Sequence, residues 1–217
     1  MKHKNKGELM TKKSLLHNYL QIIILSIVVL VIPFALGFLD FGVDPLISAF
    51  LMIIIGIISM LLQGLVEMVV FFSRLEDAEL NWDLVKQVAS YVDWGRALKF
   101  YLLSGLAITL GLILLVVPGI LIAIAFSILS FVIVDFPEDN NLFEKCFEIS
   151  KGYRLRIFGF SLAIVSVQFI LRTLLDSMFG PGTAQGNILE YAFSILISPI
   201  SVNYFTNIYL EATDRLA

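Results

Sequence analysis

The sequence predicts an all-α, polytopic integral membrane protein, with six transmembrane helices and two interfacial amphipathic helices on the cytoplasmic side. Apolar residues make up 59% of the 217 residues, charged residues make up 15%, and the mean hydropathy is +0.91. A soluble domain of this length could not bury so much apolar surface. Long apolar runs recur along the chain, and lysines and arginines fall in alternate gaps between them. The whole chain, 1–217, is therefore expected to form a single membrane domain.

The apolar runs give the expected spans, because a hydrocarbon core of about 30 Å requires about 20 apolar helical residues. These spans are 18–39, 46–72, 98–117, 120–135, 157–177 and 188–210. The first run is longer than the hydrophobic region of a signal peptide, so a retained span is expected. Its removal after Ala35-Leu36-Gly37 is the alternative.

The third and fourth expected spans are separated only by Pro118-Gly119, a dipeptide typical of turns. The region 98–135 is too long for a single span. We therefore expect a tight membrane hairpin that turns at Pro118-Gly119. One long kinked helix, or a re-entrant hairpin, is the alternative.

The distribution of basic residues gives the orientation. Every lysine and arginine except Arg172 lies in 1–17, 73–97, 136–156 or 211–217, or just beyond these segments at Lys99. The connections 40–45, 118–119 and 178–187 contain no lysine or arginine. Because basic residues accumulate in cytoplasmic segments, both termini are expected in the cytoplasm.

Two connections have helical amphipathic patterns, at 82–92 and 141–151. The predicted apolar faces consist of Leu84, Val85, Val88, Tyr91 and Val92 in the first, and of Leu142, Phe143, Cys146 and Phe147 in the second. Asn81 is a candidate N-cap, and Asn141 with Glu144 resembles a capping box. Both segments are expected to lie at the inner membrane surface.

One stretch resembles a known family. In order, it contains Val117-Pro118-Gly119-Ile120, Ala125-Phe126-Ser127, Ile133-Val134-Asp135, Ser150-Lys151-Gly152 and Arg156-Ile157-Phe158-Gly159. This order, within about 105–160, resembles the glycerophosphoryl diester phosphodiesterase membrane-domain family and related six-helix bacterial proteins of unknown function. The resemblance implies a bacterial cytoplasmic membrane protein. It implies no hydrolase activity, which in that family belongs to a separate soluble domain.

Two groups of polar residues fall inside the expected spans. Glu67 is a carboxylate within a span, with Gln63 one turn before it, and Arg96 or Lys99 is a candidate partner. Intramembrane carboxylates are costly and often bind protons or ligands, but Glu67 could also reach the nearby interface and pair structurally. On the sixth span, Ser194, Ser198 and Ser201 continue a polar line from Asn187. This line is expected to pack helices together, and a polar conduit is the alternative.

Arg172 and Asp176 are four residues apart near the outer end of the fifth span. The spacing predicts an ion pair along one helix face. The alternative is a binding spot for an anionic headgroup or peptide.

The remaining sequence predicts no enzyme. We find no catalytic constellation, no metal-binding pattern and no glycine-rich phosphate loop, so no catalytic, cofactor or metal residues are predicted. The net charge of −3 gives no indication of nucleic-acid binding. The leading expectation is an accessory or scaffold subunit, in contact with membrane lipids and with a membrane-protein partner or ATPase subunit. The family resemblance implies a link to export or peptide resistance. The alternative is a transporter or permease component that uses the polar intramembrane residues.

Overall fold

A computed structural model describes residues 19–27, 45–76 and 78–214, and all structural statements concern these residues. They form helices, and no strand occurs among them. The helices are α1 (19–27), α2 (Pro45–Glu76), α3 (Trp82–Tyr91), α4 (Trp94–Leu114), α5 (Val116–Phe126), α6 (Leu129–Asp135), α7 (Leu142–Ser150), α8 (Arg154–Phe179) and α9 (Ala184–Asp214).

Four helices are long and apolar enough to cross a membrane: α4, α8, the part Ile47–Glu76 of α2 and the part Gln185–Thr213 of α9. The pair α5 and α6, bent by 43°, makes a fifth if it crosses as one broken span. The prediction of an all-helical chain with several apolar, membrane-length helices is therefore confirmed. Residues 28–39 of the first expected span lie outside the described residues, so six spans stay a prediction.

The turn between α4 and α5 corrects the sequence analysis. The chain turns at Leu115, which is extended (φ −155°, ψ 118°), and not at Pro118-Gly119. Pro118 lies in the first turn of α5, where a missing N–H costs little. Gly119 instead allows the close packing of the two helices, because a Cβ atom there would lie 2.5 Å from the Leu112 nitrogen.

The fourth expected span, 120–135, is divided in two. The helix axis bends by 43° between α5 and α6. At the break, the Ser127 hydroxyl donates a hydrogen bond to the Ile124 carbonyl over 2.8 Å. A serine that bonds to a preceding carbonyl in this way commonly bends a helix. The bend brings α6 into the interior, where residues 129–134 are all buried.

The core lies at the end of the molecule where α2 and α9 finish and α4 and α8 begin. Its centre is an aromatic triangle of Phe71, Phe131 and Tyr209, with ring centroids 5.3 to 5.9 Å apart. All three side chains are fully buried. At the opposite end, large apolar side chains such as Ile113 and Leu114 are about three-quarters exposed, as lipid-facing residues are in a membrane protein.

The short helices α3 and α7 pack against the bundle. Leu84, Val85 and Val88 of α3 are buried, while Asp83 and Lys86 are exposed. The buried residues of α7 are Leu142, Cys146, Ile149 and Ser150, and its exposed residues include Glu144 and Glu148. Most of each apolar face is therefore covered by the protein itself, but Tyr91, which was predicted on the apolar face of α3, is 54% exposed.

Of the two N-terminal caps predicted for these helices, one was correct and one was wrong. The Asn81 side chain accepts a hydrogen bond from the Leu84 nitrogen over 2.8 Å, as an N-cap does. The predicted capping box at Asn141 and Glu144 was wrong, because no side chain caps α7. Instead the Asn141 backbone nitrogen donates to the Asp139 carboxylate over 2.7 Å, which fixes the turn before the helix.

Candidate functional site

The most developed polar site joins α2, α4 and α6 around Glu67. The Ser130 hydroxyl donates to the Glu67 carboxylate over 2.5 Å, and the Tyr101 hydroxyl donates to Ser130 over 2.9 Å. Gln63, one turn before Glu67 on α2, also interacts with the carboxylate. We call these four residues the Glu67 cluster.

The hydrogen bonds of the Glu67 cluster have one direction. A serine hydroxyl carries a single hydrogen, so while Ser130 donates to Glu67 it cannot also donate to Tyr101, and its oxygen accepts from the Tyr101 hydroxyl. Tyr101 and Ser130 are 7% and 5% exposed, which shields the chain from solvent. The arrangement ends on a carboxylate, which can take up and release a proton or interact with a cation.

A glycine makes the cluster possible. A Cβ atom on Gly64 would lie 2.2 Å from the Tyr101 hydroxyl oxygen and 2.9 Å from its ring carbon Cζ. Because these distances are far below van der Waals contact, α2 can receive the Tyr101 hydroxyl only where it lacks a side chain. Gly64 follows Gln63 directly, so one turn of α2 supplies both the space and two of the polar groups.

The expected pairing of Glu67 with Arg96 or Lys99 was wrong. The Arg96 guanidinium donates to the carbonyl oxygens of Phe136, Pro137 and Asp139, in the turn that follows α6. Lys99 is exposed, with its ammonium 5.9 Å from the centroid of the Phe100 ring. Arg96 thus holds the turn after α6 against the start of α4, while a serine and not a cation contacts Glu67.

The polar residues expected along the last span lie apart from the Glu67 cluster. Ser198 shares a 3.0 Å hydrogen bond with Ser26 of α1, whose side chain is fully buried. Ser194 donates within its own helix to the Glu190 carbonyl over 3.0 Å, and Ser201 is half-buried. Among the described residues, no hydrogen bond links these serines to Gln63 or Glu67. The serine pair instead joins the first and last helices.

The ion pair predicted on α8 has a third member. The Arg172 guanidinium lies 3.9 Å from the Asp176 carboxylate on α8 and 3.4 Å from Glu190 on α9. All three side chains are partly or mainly exposed, so the pairs contribute little to stability. The sequence spacing indicates Asp176 but not Glu190, because the second contact depends on how α8 and α9 pack.

Asp135 and Tyr209 form another polar contact that sequence reasoning missed. The Tyr209 hydroxyl donates to the Asp135 carboxylate over 2.7 Å. Tyr209 lies 74 residues away along the chain, on α9. An aspartate at the end of an apolar helix gives no signal of such a distant partner. The contact ties the C-terminus of α6 to α9 beside the aromatic triangle.

The chain matches no family model, no curated protein and no solved structure. The family resemblance of 105–160 therefore stays a prediction.

The described residues offer no metal site, since no group of three His, Cys, Asp or Glu residues among them could hold an ion. Cys146, the one cysteine of the chain, is fully buried on α7. Burial raises the pKa of its thiol from 9.0 to about 12, so the thiol stays protonated at neutral pH and is a poor nucleophile.

Proposed function

We propose that this protein is a non-enzymatic integral membrane protein of the bacterial cytoplasmic membrane, acting as an accessory or scaffold subunit. In this proposal the chain has six spans, both termini are cytoplasmic, and α3 and α7 lie on the cytoplasmic side. Its partner is another membrane protein or an ATPase subunit. A link to export or peptide resistance rests on the family resemblance alone.

The observation that carries the proposal is how α3 and α7 pack against the bundle. Most of their apolar side chains are buried in the bundle and their charged side chains point away from it, while Trp82 and Tyr91 of α3 stay exposed. An amphipathic helix that inserts into lipid needs its apolar face for that purpose. Here most of that face is occupied, so the surface left for recognition combines charged residues with the exposed rings of Trp82 and Tyr91, a mixture that suits a protein partner.

Hydrogen bonds also fix the position of α3 relative to α4. The Trp94 indole nitrogen donates to the Ala89 carbonyl over 2.8 Å, and the Asp93 carboxylate accepts from the Arg96 nitrogen over 3.1 Å. These bonds fix the angle between α3 and α4, and the Arg96 contacts fix the turn after α6 beside them. A preformed surface loses less conformational entropy on binding than a flexible one, which favours a docking role.

The experiment reverses charge on the exposed face of α3. Asp83 and Lys86 form an exposed i,i+3 pair with a separation of 3.8 Å. A Lys86→Glu variant should accumulate normally and yet fail to complement a strain that lacks the gene. A photo-crosslinker at the exposed Gln87 should lose its protein adduct in the same variant. Normal complementation together with an unchanged adduct would contradict the docking role.

A double variant serves as the matched control. Asp83→Lys combined with Lys86→Glu keeps the net charge and the i,i+3 pair but reverses its direction. If recognition depends on the charge pattern, the double variant fails like the single one. If the single variant fails only because α3 loses helix stability, the double variant recovers. A crosslinker at Ile170, exposed on the apolar α8, should yield lipid adducts in every variant.

A transporter or permease component is the second candidate, and the Glu67 cluster is the observation that favours it. A shielded hydrogen-bond chain that ends on an intramembrane carboxylate resembles the proton-binding groups of secondary transporters. In that case Glu67→Gln abolishes complementation while the protein still inserts. The scaffold proposal expects Glu67→Gln to be tolerated, because a glutamine oxygen can still accept from Ser130.

A further inference from the structure

A second polar site lies between α1, α2 and α9, outside the Glu67 cluster. It is an open groove of 360 Å³, lined by Tyr19, Arg74, Ile200, Asn203, Tyr204 and Asn207. Its lining combines one cation and two amides with a mainly apolar surface. We call it the Arg74 groove.

Arg74 is held in place by neutral groups. Its guanidinium donates to the Asn203 side-chain oxygen over 2.6 Å and to the Asn207 side-chain oxygen over 3.3 Å. In the part of the chain that the structure describes, no carboxylate lies within ion-pair distance of it. A guanidinium has five N–H donors, so donors remain for a further acceptor after these two bonds. The groove therefore contains an oriented cation that is hydrogen-bonded to amides and has no carboxylate partner among the described residues.

The Asn203 amide is itself held in place by a backbone carbonyl of α9. The Asn203 side-chain nitrogen donates to the Pro199 carbonyl over 2.8 Å, which turns its oxygen toward Arg74. Asn207 lies one turn further along α9, so both oxygens line the same helix face. This orientation of the guanidinium is built by the fold and does not depend on a ligand.

The groove lies at the charged end of the membrane-length helices. Arg74 is two residues before the end of α2, and on α9 Tyr204 precedes Glu211, which pairs with Arg156 over 2.9 Å. The Tyr204 hydroxyl donates to the Arg156 carbonyl over 3.2 Å. Arginines and tyrosines at such a level meet the headgroup region of a bilayer.

We propose that the Arg74 groove binds the phosphate group of an anionic membrane lipid. Arginine recognises phosphate through parallel, charge-assisted N–H···O bonds. The apolar part of the lining, including Ile200, would contact the glycerol and acyl portions. A soluble phosphate compound shares the headgroup chemistry, but the apolar lining and the position between α2 and α9 favour a lipid. This inference goes beyond the scaffold proposal and does not rest on it.

The test measures lipid retention by the full chain. Purified protein is reconstituted in nanodiscs of phosphatidylcholine with or without phosphatidylglycerol, and the lipids that stay bound are counted by native mass spectrometry. Wild type should retain phosphatidylglycerol preferentially. Arg74→Gln should weaken this binding by about tenfold or more, because the charge-assisted bonds are lost. Arg74→Lys should recover part of it.

Two further variants make the result decisive. Lys99→Gln removes an equal charge from an exposed side chain on α4, outside the groove, and should leave retention unchanged. Ile200→Trp fills the groove without replacing Arg74 and should reduce retention, which keeps the test valid if Arg74→Gln fails to fold.

The proposal is overturned if wild type, Arg74→Gln and Ile200→Trp retain phosphatidylglycerol equally. In a separate arm, inorganic phosphate and glycerol 3-phosphate are added to protein in phosphatidylcholine nanodiscs. Arg74-dependent binding of these compounds without any preference for phosphatidylglycerol would overturn the lipid assignment in favour of a soluble ligand.

Discussion

Replacing Gly64 by alanine tests whether the Glu67 cluster is assembled as described. The new Cβ atom would lie 2.2 Å from the Tyr101 hydroxyl oxygen, so the tyrosine must move away from α2. Its hydroxyl then cannot keep its 2.9 Å bond to Ser130. Gly56 on the same helix is the control, because a Cβ atom there meets nothing within 4 Å.

The expected cost follows from two contributions. Overpacking of a close-packed site costs about 1–3 kcal/mol. Loss of the Tyr101–Ser130 hydrogen bond adds about 1 kcal/mol. The gain in helix propensity from glycine to alanine is common to Gly64→Ala and Gly56→Ala, so it cancels in the difference between them. Gly64→Ala should therefore be less stable than Gly56→Ala by roughly 2–4 kcal/mol.

The assay can use the chain's own cysteine. Cys146 is the sole cysteine and is fully buried, so a thiol-reactive fluorogenic dye reports unfolding in detergent. Tyr101→Phe in the Gly64→Ala background removes the atom at 2.2 Å and should recover about 1 kcal/mol or more. Equal stability of Gly64→Ala and Gly56→Ala would refute the close approach of α4 to α2.

Two further predictions concern α7 and the turn after α6. Because burial raises the pKa of the Cys146 thiol from 9.0 to about 12, the unfolded chain loses this proton at lower pH than the folded chain. Between pH 9.0 and about 12, the free energy of unfolding should then fall more steeply in wild type than in Cys146→Ala, by up to about 1.4 kcal/mol per pH unit, as measured by circular dichroism. Arg96→Gln removes donors to three carbonyls and should lower the stability by about 2 kcal/mol, whereas Lys99→Gln, three residues along α4, should change it by less than about 0.5 kcal/mol. Dye-monitored melting compares this pair, and equal melting temperatures would contradict the role given to Arg96.

The helix pattern of this protein was largely predictable, but the turns were not. Apolar runs give the existence and approximate length of α2, α4, α8 and α9 because a spanning helix requires a minimum apolar length. The turn at Pro118-Gly119 was misplaced because proline is tolerated in the first turn of a helix, so the dipeptide alone does not show whether a helix ends or begins there. What fixes the turn at Leu115 is the packing of Gly119 against Leu112, which only the folded hairpin shows.

Two of the four residues of the Glu67 cluster could be predicted from the sequence. Glu67 and Gln63 were found because a carboxylate in an apolar run is rare, and because residues four apart share a helix face. Ser130 and Tyr101 were missed, since a serine and a tyrosine in apolar helices are ordinary helix-packing residues. The expectation of a basic partner followed charge pairing alone and did not foresee that the Arg96 guanidinium donates to three carbonyl acceptors in the turn after α6.

By itself, the sequence determined that the long helices suit a membrane, and it determined which residues share a helix face. Both depend on local composition: apolar length fits a bilayer, and residues three or four apart share a face, as Arg172 and Asp176 do. The tertiary structure decided which polar groups meet across helices, such as Glu67 with Ser130 and Arg74 with Asn203. These pairs lie more than sixty residues apart, and their contact depends on helix rotation and on small residues such as Gly64 that no local pattern specifies.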